Sequence, residues 1–421
     1  MSIVLGCIAD DFTGATDLAN MLVQQGMPTI QLIGTPKNEM DIGRAKAVVI
    51  ALKSRTMKAE KAVSLSIDAL KWLRAAGAKQ FLFKYCSTFD STDQGNIGPV
   101  ADALKAELGL KFTIVCPAFP ENGRTVYNGN LFVFNDLLSE SNMRDHPLTP
   151  MTDSNLLRIL GRQTTQKIGL IEHQTVAKGP DAINKAYDKL QKNGVRYAII
   201  DAIYNEDLLA IGTASKELVF ITGGSGIALG LPSIFREAKL IEDAVPPTFP
   251  MKNGARVVLA GSCSVRTIEQ IAKWKEKFPA LRIEPEAVMQ GKPVVREAVK
   301  WALRKMPNTP ILIYTSDSPN AVTKLQKHYN KSEVGRSLEK IFGAIAQQLV
   351  KKGADRVIVA GGETSGAVVK ALDVSALKIG PEISYGVPWT ETIGKTQISL
   401  ALKSGNFGDI NFFNKAFKVL G

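Results

Sequence analysis

Two adjacent aspartates near the start of the chain, Asp10 and Asp11, are the residues with the clearest chemical potential. They follow the apolar run Ile3–Ala9 and precede Thr13 and Gly14, an order typical of a strand that turns into a helix. Neighbouring carboxylates repel each other, so the pair needs a proton, a cation or a hydroxyl beside it. A helix N-cap explains Asp11 or Thr13 but not the pair. We therefore predict that Asp11 is a general base and that Asp10 orients a hydroxyl or binds a metal.

Cationic and hydroxyl side chains follow other apolar runs. Lys84 can neutralise a carboxylate, and the nearby hydroxyls of Ser87 and Thr88 suit a polyhydroxylated ligand. Arg55 and Arg124 also come just after apolar runs, and arginine can hold a carboxylate through two hydrogen bonds. Each of these residues alone is also compatible with a solvated turn. Their repetition predicts one shared cleft, because parallel strands bring their carboxyl ends together.

The segment 360–367 is rich in glycine, directly follows an apolar run and opens a predicted helix. Glycines expose backbone N–H groups, and a helix N-terminus attracts phosphate. Gly361, Gly362, Glu363 and Thr364 are therefore the best candidates for nucleotide contacts. The segment is not a Walker A loop, because the required Lys-Ser/Thr pair is absent. A tight strand-to-helix turn is the alternative interpretation.

Two smaller segments could complete a pocket for phosphate or adenosine. One contains Ser262 and Ser264, and the other contains Gly405. A further glycine-rich turn, 222–226, lacks both the Gly-x-Gly-x-x-Gly order and an evident acidic ribose ligand, which disfavours a dinucleotide site and a nicotinamide-dependent dehydrogenase. Whether this turn reaches the cleft stays open.

The elements that must position these residues alternate between apolar runs and amphipathic segments. Runs that are apolar throughout are typical of parallel strands with helices on both faces, so the sequence predicts an α/β fold. The predicted strands are Ile3–Ala9, Ala47–Leu52, Gln80–Tyr85, Phe112–Cys116, Tyr197–Ile200, Leu218–Thr222, Arg256–Ala260, Ile311–Thr315 and Arg356–Ala360. The predicted helices are Gly14–Gln25, Lys58–Ala75, Ile97–Leu108, Asp181–Asn193, Asn205–Ala214, Val265–Lys277, Pro293–Met306, Ser332–Lys351 and Thr364–Leu372.

A chain of 421 residues exceeds what one hydrophobic core usually organises, about 250–300 residues. The proline-rich stretch 243–254 defeats both helix and central strand and is the predicted linker. We predict an N-terminal domain at 1–242 and a C-terminal domain at 255–421. Both are expected to be α/β domains with mostly parallel sheets, and the active-site cleft is expected between them.

Composition narrows the function classes. No stretch reaches the ~20 apolar residues that span a bilayer, and no secretory signal is visible, so we expect a cytoplasmic protein without membrane contact. The net charge is +12, but the basic residues are dispersed and form no nucleic-acid-binding pattern, which favours small anionic ligands. The four cysteines show no metal spacing and are expected to be buried thiols.

Three motifs together resemble the four-carbon acid sugar kinase family: the start Asp10–Ala15, the turn Gly261–Ser264 and the loop Gly361–Gly366. The resemblance covers nearly the whole chain. It implies that the N-terminal domain binds a sugar acid and that the C-terminal domain binds ATP. The stretch Phe83–Val100 is especially similar to the branch that acts on 3-oxo-tetronate, also called 3-dehydrotetronate. This similarity implies phosphorylation of the 4-hydroxyl by ATP. We also expect Mg²⁺ to bridge the ATP phosphates, because phosphoryl transfer depends on charge neutralisation.

The resemblance also implies roles for single residues. It places Asp10, Asp11, Lys84 and Arg124 on the substrate side, and it gives the ATP contacts as Ser262 or Ser264, Gly361, Gly362, Glu363, Thr364 and Gly405. The segment 11–17 is also similar to the Asp-x-x-Gly-Ala-x-Asp loop of ribokinase-like sugar kinases, whose last aspartate is the base, so Asp17 is the alternative base. D-threonate or D-erythronate kinase activity and a non-catalytic sugar-acid sensor are the rival functions. Metal ligands and oligomeric state stay open.

Overall fold

The computed structural model describes residues 3–146, 148–242, 249, 252–315 and 329–420, and the side chains of 331 and 332 are not included. The chain divides into two compact units, Met1–Pro246 and Pro247–Gly421, here called the N-terminal and C-terminal units. Most of the predicted linker 243–254 lies outside the described residues. Within the described ranges, no helix combines the length and apolar character that crossing a membrane requires.

The N-terminal unit is an α/β structure. Its strands are β1 (Leu5–Ala9), β2 (Thr29–Ile33), β3 (Ala47–Ala51), β4 (Gln80–Lys84), β5 (Thr113–Cys116), β6 (Arg124–Tyr127), β7 (Asn130–Val133), β8 (Asp136–Leu137), β9 (Ile168–Ile171), β10 (Tyr197–Ile200) and β11 (Phe220–Gly223). Its helices are α1 (Phe12–Gln24), α2 (Ala59–Ala75), α3 (Ile97–Glu107), α4 (Leu156–Gly161), α5 (His173–Val176), α6 (Pro180–Lys192), α7 (Asn205–Ala214) and α8 (Leu231–Glu237).

Eight of these strands form a parallel sheet in the order β2-β3-β1-β4-β11-β5-β10-β9. The strands that follow β1 first lie on one side of it, as β2 and β3, and then on the other side, as β4. In open parallel sheets such a change of direction is the place where ligands bind. At this point Ala9 pairs with Ala51 and with Lys84, so the segments after β1, β3 and β4 leave the sheet together. The short strands β6, β7 and β8 form a separate antiparallel sheet.

The C-terminal unit is also α/β. Its strands are β12 (Ala255–Ala260), β13 (Ala280–Arg282), β14 (Ile311–Tyr314), β15 (Ala354–Ala360), β16 (Val374–Ser384), β17 (Val387–Gly394) and β18 (Ser399–Lys403). Its described helices are α9 (Val265–Lys275), α10 (Pro285–Met289), α11 (Val294–Lys305), α12 (Lys331–Lys351), α13 (Gly362–Ala371) and α14 (Phe412–Val419). The strand order is β13-β14-β12-β15-β18-β17-β16, parallel as far as β18 and antiparallel from β18 to β16.

The burial of the apolar strands explains why the strands of both sheets are mostly parallel. Every residue of β1, β3 and β4 is buried, as parallel strands covered on both faces require. In the C-terminal unit Trp274, Trp389 and Phe413 belong to one buried core cluster that also includes residues of β12, β15 and β18. The predicted α/β class with mostly parallel strands is therefore confirmed. The four cysteines are thiols, but Cys263 is exposed and Cys86 is half-buried, which corrects the expectation that all four are buried.

Candidate functional sites

The two aspartates after β1 are held by Arg55, which lies on the segment after β3. Its Nε and Nη2 donate to the two carboxylate oxygens of Asp10 at 2.9 and 2.7 Å, and Nη2 also donates to Oδ1 of Asp11 at 2.8 Å. Backbone bonds fix the same junction, because the N–H groups of Ser54 and Arg55 both donate to the Asp10 carbonyl. The cation that an adjacent carboxylate pair needs is thus Arg55. Burial opposes the charge of Arg55, but the two carboxylates hold its pKa well above the ordinary value.

Asp11 is also the N-cap of α1. Its Oδ1 accepts the N–H of Gly14 at 3.0 Å, and its Oδ2 accepts the hydroxyl of Thr13 at 2.7 Å. The ammonium of Lys84 lies beside the same turn, since Lys84 Nζ and Asp11 Oδ1 both border Gly14. Burial alone would raise the pKa of Asp11, but Arg55, Lys84 and these hydrogen bonds outweigh it and lower the pKa. Asp11 is therefore ionised at neutral pH, and it serves as both cap and site carboxylate.

The segment after β4 adds a third carboxylate, Asp90. Its Oδ1 accepts the Thr88 hydroxyl at 2.6 Å, and its Oδ2 lies 3.7 Å from Nη1 of Arg55. Thr88 also contacts Cys86, whose Sγ is 3.0 Å from the threonine hydroxyl. Burial and the charge of Asp90 raise the pKa of the Cys86 thiol to about 11, so the thiol is neutral. Asp90 stood within the predicted segment but was not predicted as a site residue.

Arg124 begins β6 and is buried, with 9% of its surface exposed. One Nη1–H bonds to the carbonyl of Asn122, and the guanidinium lies 5.6 Å from the ring centre of Phe134. Within the described residues, its Nε makes no hydrogen bond. Burial lowers the pKa of Arg124, while the charges of Asp90 and Asp17 act in the opposite direction. Among the described residues this buried nitrogen is thus an unused donor, and the cation belongs to the same group of charges as Asp90.

Asp17 lies on α1 six residues beyond the cap Asp11 and is buried. Ser87 is half-buried on the segment after β4. Its Cα is 3.5 Å from where a Cβ on Gly224 would lie, and the same Cβ would come within 2.7 Å of the Pro117 carbonyl. The glycines of 222–226 therefore let the segment after β11 pack against the backbone after β4 and β5. This close approach explains the turn that the sequence left open.

Asn96 holds the backbone of the segment after β3, which carries Arg55. It is buried, and its Nδ2 donates to the carbonyls of Ser54, Arg55 and Met57 at 2.7, 3.3 and 3.1 Å. These bonds fix the backbone from which the Arg55 side chain reaches both aspartates. No sequence signal separated Asn96 from an ordinary N-cap residue, and its side chain makes no cap hydrogen bond.

The C-terminal unit brings its three predicted segments together at the carboxyl ends of β12, β15 and β18. The N–H of Ser262 donates to the carbonyl of Ala360, and the N–H of Gly361 donates to the carbonyl of Lys403. Ser264 caps α9 through Thr267 N–H at 3.2 Å, and its hydroxyl donates to the carbonyl of Gly405 at 2.6 Å. The predicted nucleotide residues thus form one continuous surface of glycines and hydroxyls.

The N-terminus of α13 lies next to these segments, because Gly361 bonds to Lys403 at the end of β18. Gly361 precedes the helix with φ 124° and ψ 132°, a backbone conformation that other residues rarely adopt. It makes no side-chain cap, so the first N–H groups of α13 are not satisfied by a capping side chain. Gly362 and Glu363 are exposed there, while Thr364 is buried. Such a helix start is suited to binding phosphate.

Among the described residues, no group of three or more histidine, cysteine or acidic side chains is placed to hold a metal ion. Magnesium in phosphoryl-transfer sites commonly takes only one or two protein carboxylates and gains its other ligands from phosphates and water. Glu363, in the first turn of α13, is a carboxylate that fits this pattern.

The chain thus has two α/β units, with a cluster of charged side chains in the first and a glycine-rich helix start in the second. The sugar-binding N-terminal domain family matches residues 5–231, and the nucleotide-binding C-terminal domain family matches residues 257–413. Both matches and the relatives described next show that the chain belongs to the four-carbon acid sugar kinase family, as the sequence predicted.

The chain is 52% identical over 418 residues to the 3-oxo-tetronate kinase of Burkholderia multivorans, covering 99% of this chain and 97% of the relative. It is also 52% identical over 422 residues to the 3-oxo-tetronate kinase of Cupriavidus necator, with the same coverage of 99% and 97%. A crystal structure from Salmonella typhimurium LT2, named as a candidate tRNA synthase, is 42% identical with a TM-score of 0.86, covering 98% of each chain.

Proposed function

We propose that this protein is an ATP-dependent kinase that transfers the γ-phosphoryl group of ATP to the 4-hydroxyl of 3-oxo-tetronate. The observation that carries the proposal is the chain-long identity of 52% to two curated 3-oxo-tetronate kinases. The two kinds of site support it, because a sugar acid and a nucleotide need different surroundings. In the reaction the hydroxyl oxygen forms a bond to phosphorus, the bond to the ADP oxygen breaks, and the hydroxyl proton is released.

On the nucleotide side, the N–H groups at the start of α13, which Gly361 does not cap, would bind phosphate oxygens, and Ser262, Ser264 and Gly405 would complete the pocket. Mg²⁺ would enter with the nucleotide and neutralise charge on the phosphates, with Glu363 as its protein carboxylate. Phosphoryl transfer depends mainly on positioning and charge neutralisation, so backbone groups held in place by short loops are well suited to this half of the reaction.

On the acid side, Lys84 and Arg124 would bind the substrate carboxylate, and the hydroxyls of Ser87 and Thr88 would bind substrate oxygens. Arg55 is already bonded to Asp10 and Asp11. Its contribution to substrate binding would therefore be to hold these carboxylates in position. Asp11 would accept the proton of the attacking hydroxyl, since it is ionised and fixed by the start of α1.

The experiment is ADP release by the purified protein with Mg-ATP and a panel of substrates: 3-oxo-tetronate, D-threonate, D-erythronate and a neutral tetrose. We expect ADP release with the highest kcat/KM for 3-oxo-tetronate and little with the neutral sugar. A higher kcat/KM for D-threonate or D-erythronate would reassign the substrate within the same chemistry. Tight binding of one acid without ADP release would favour a sugar-acid sensor and would overturn the kinase proposal.

The names of the relatives differ, since one solved structure is named as a synthase. The kinase name carries more weight here because it belongs to relatives that are 52% identical, whereas the structure is 42% identical.

A further inference from the structure

Lys403, the last residue of β18, has no exposed surface although it carries an ionisable amine. Its Nζ lies at hydrogen-bond distance from four oxygens. Three are backbone carbonyls of the following loop, those of Ser404 at 2.8 Å, Gly405 at 2.8 Å and Phe407 at 3.2 Å. The fourth is the hydroxyl oxygen of Thr267 on α9, at 3.2 Å. All four are uncharged.

A buried lysine is usually paired with a carboxylate, so a set of neutral partners is unusual. The charged group that acts on Lys403 from α9 is Arg266, which pairs with Glu269 at 3.0 Å. From the loop before α14, the carboxylate of Asp409 accepts a backbone N–H. From α14 itself, Phe412 places its ring centre 5.9 Å from Nζ. Burial, with a smaller contribution from Arg266, lowers the pKa of Lys403 to about 7.

The carbonyl of Gly405 connects this lysine to the nucleotide surface. It accepts from Lys403 Nζ at 2.8 Å, from the Ser264 hydroxyl at 2.6 Å and from the Thr267 hydroxyl at 2.8 Å. The rest of the loop is held by Gln270, whose Nε2 lies 2.8 to 3.3 Å from the carbonyls of Phe407, Gly408 and Asp409. The carbonyl groups of the loop 404–408 are thus held by side-chain hydrogen bonds. Lys403 bonds to three of these carbonyls, those of Ser404, Gly405 and Phe407.

We propose that Lys403 is a positioning residue that fixes the loop 404–408 for nucleotide binding while its amine is charged, so that nucleotide affinity is linked to protonation of this buried side chain. The inference rests on the proposed function, because it assigns a role within the nucleotide site. It goes beyond that function by naming a residue that would touch the loop and not the nucleotide.

The number of hydrogen atoms on the amine gives the physical reason. A charged ammonium has three N–H donors, so it can serve the three loop carbonyls at once. A neutral amine has two N–H donors and a lone pair, and the lone pair would face a carbonyl oxygen. Deprotonation would therefore release one loop carbonyl. A bound nucleotide places negative charge near the loop and raises the pKa of the amine, so binding near neutral pH takes up a proton.

The test measures the dissociation constant of ADP, in excess Mg²⁺, by calorimetry from about pH 6 to about pH 9, for wild type, Lys403→Arg and Lys403→Met. We expect wild-type affinity to fall about tenfold over this range, since one pKa unit of coupling corresponds to a factor of ten. Lys403→Arg keeps a permanent charge and should lose most of this dependence. Lys403→Met should bind weakly at every pH and should raise KM for ATP without changing KM for the acid. Any titration of ADP itself is common to all variants.

Lys105 offers a matched control. It is a buried lysine in the N-terminal unit, with Asp102 at 3.7 Å, and burial lowers its pKa to about 8. Lys105→Met should keep the wild-type pH dependence of ADP binding. If Lys403→Arg does not fold, proton uptake by wild type, measured in buffers of different ionisation enthalpy, tests the same linkage.

Wild-type affinity that is constant across this pH range, without proton uptake, would overturn the inference. A pH dependence that persists unchanged in Lys403→Arg would also overturn it. Failure of wild type to bind nucleotide at any pH is a different result, because it would overturn the proposed function itself.

Discussion

The candidate sites of the N-terminal and C-terminal units differ in the groups that they offer to a ligand. The N-terminal site uses side-chain charges that already interact, with Arg55 between Asp10 and Asp11 and with Lys84 beside them. The C-terminal site uses backbone N–H groups at the start of α13 and hydroxyls that hold loops in place. The first site thus consists mainly of charged side chains, and the second consists mainly of backbone groups held in a fixed conformation.

This difference suggests what each site can recognise. Fixed cations penalise a ligand that lacks a matching charge, so side-chain charges give selectivity for an acid over a neutral sugar. Backbone groups at a helix start bind phosphate. Substitutions in the two regions should therefore have different effects. Removal of a charge should weaken the function of the N-terminal site, whereas an added side chain or backbone strain should weaken that of the C-terminal site.

The largest effect is expected for Asp11→Asn. Asparagine is as good an N-cap as aspartate, so the start of α1 should be kept while the proton acceptor is lost. We expect kcat to fall by about 10²-fold or more with little change in KM for the acid, as measured by steady-state ADP release. The matched variant is Asp17→Asn on the same helix. If Asp11→Asn kept normal turnover and Asp17→Asn lost it, the base would be Asp17.

The next effect concerns shape in the C-terminal site. Gly361→Ala introduces a side chain where φ is 124°, a strain of about 1–3 kcal/mol if the loop is kept. We expect KM for ATP to rise by about tenfold or more while KM for the acid stays constant. Gly291→Ala is the control, since Gly291 also has a positive φ but no neighbour within 4 Å. An unchanged KM for ATP in Gly361→Ala would argue against the assignment of this loop.

A smaller effect is expected for Arg124→Ala in the N-terminal site. Loss of the buried cation should raise KM for the acid by about tenfold and reduce the preference over a neutral tetrose, with a smaller change in kcat. Arg158→Ala serves as the control, because that arginine pairs with Asp153 at an exposed position. Equal kinetics for the two variants with the acid would remove Arg124 from the substrate site.

The smallest effect is expected for Asn96→Ala. Three backbone carbonyls would lose a buried donor, which should lower the free energy of unfolding by about 1–3 kcal/mol. Denaturant unfolding measures this change. A larger loss of kcat for the remaining folded enzyme would indicate that Asn96 also positions Arg55, whereas stability and kcat equal to wild type would contradict both roles.

The sequence was informative where strands are fully buried. The runs that become β1, β3 and β4 were predicted within a few residues, because uninterrupted apolar residues have few alternatives to a covered parallel strand. Strand β2 was missed because Gln31 interrupts it. That side chain is buried and bonds to Thr16 and to the carbonyl of Phe12, contacts that no local pattern indicates.

The antiparallel hairpin of β16 and β17 was missed for a related reason. β16 contains Pro381, which argues against a strand in a sequence pattern. In the structure the register between β16 and β17 shifts around this position, and an irregularity of this kind accommodates the proline. The predicted parallel character therefore holds for β12 to β15 and β18 but not for the last hairpin.

The site residues divide in the same way. Residues at strand ends, such as Asp10 and Gly361, could be proposed as candidates because chain order fixes where a strand ends, and their roles stay predictions. Asp90 and Asn96 could not be assigned, because their roles depend on contacts with Arg55 from a different strand end. Lys403 stood at the start of a predicted segment but was given no role, since a lysine after an apolar run usually lies in solvent.

The central claim is tested most directly by the position of the transferred phosphate. The protein is incubated with Mg-ATP and ¹³C-labelled 3-oxo-tetronate, and the product is examined by ³¹P and ¹³C NMR. The expected result is one new phosphate ester with phosphorus coupling to C4 and C3, formed in equal amount with ADP. Release of inorganic phosphate without an ester, or coupling that places the phosphate on another oxygen, would contradict the account.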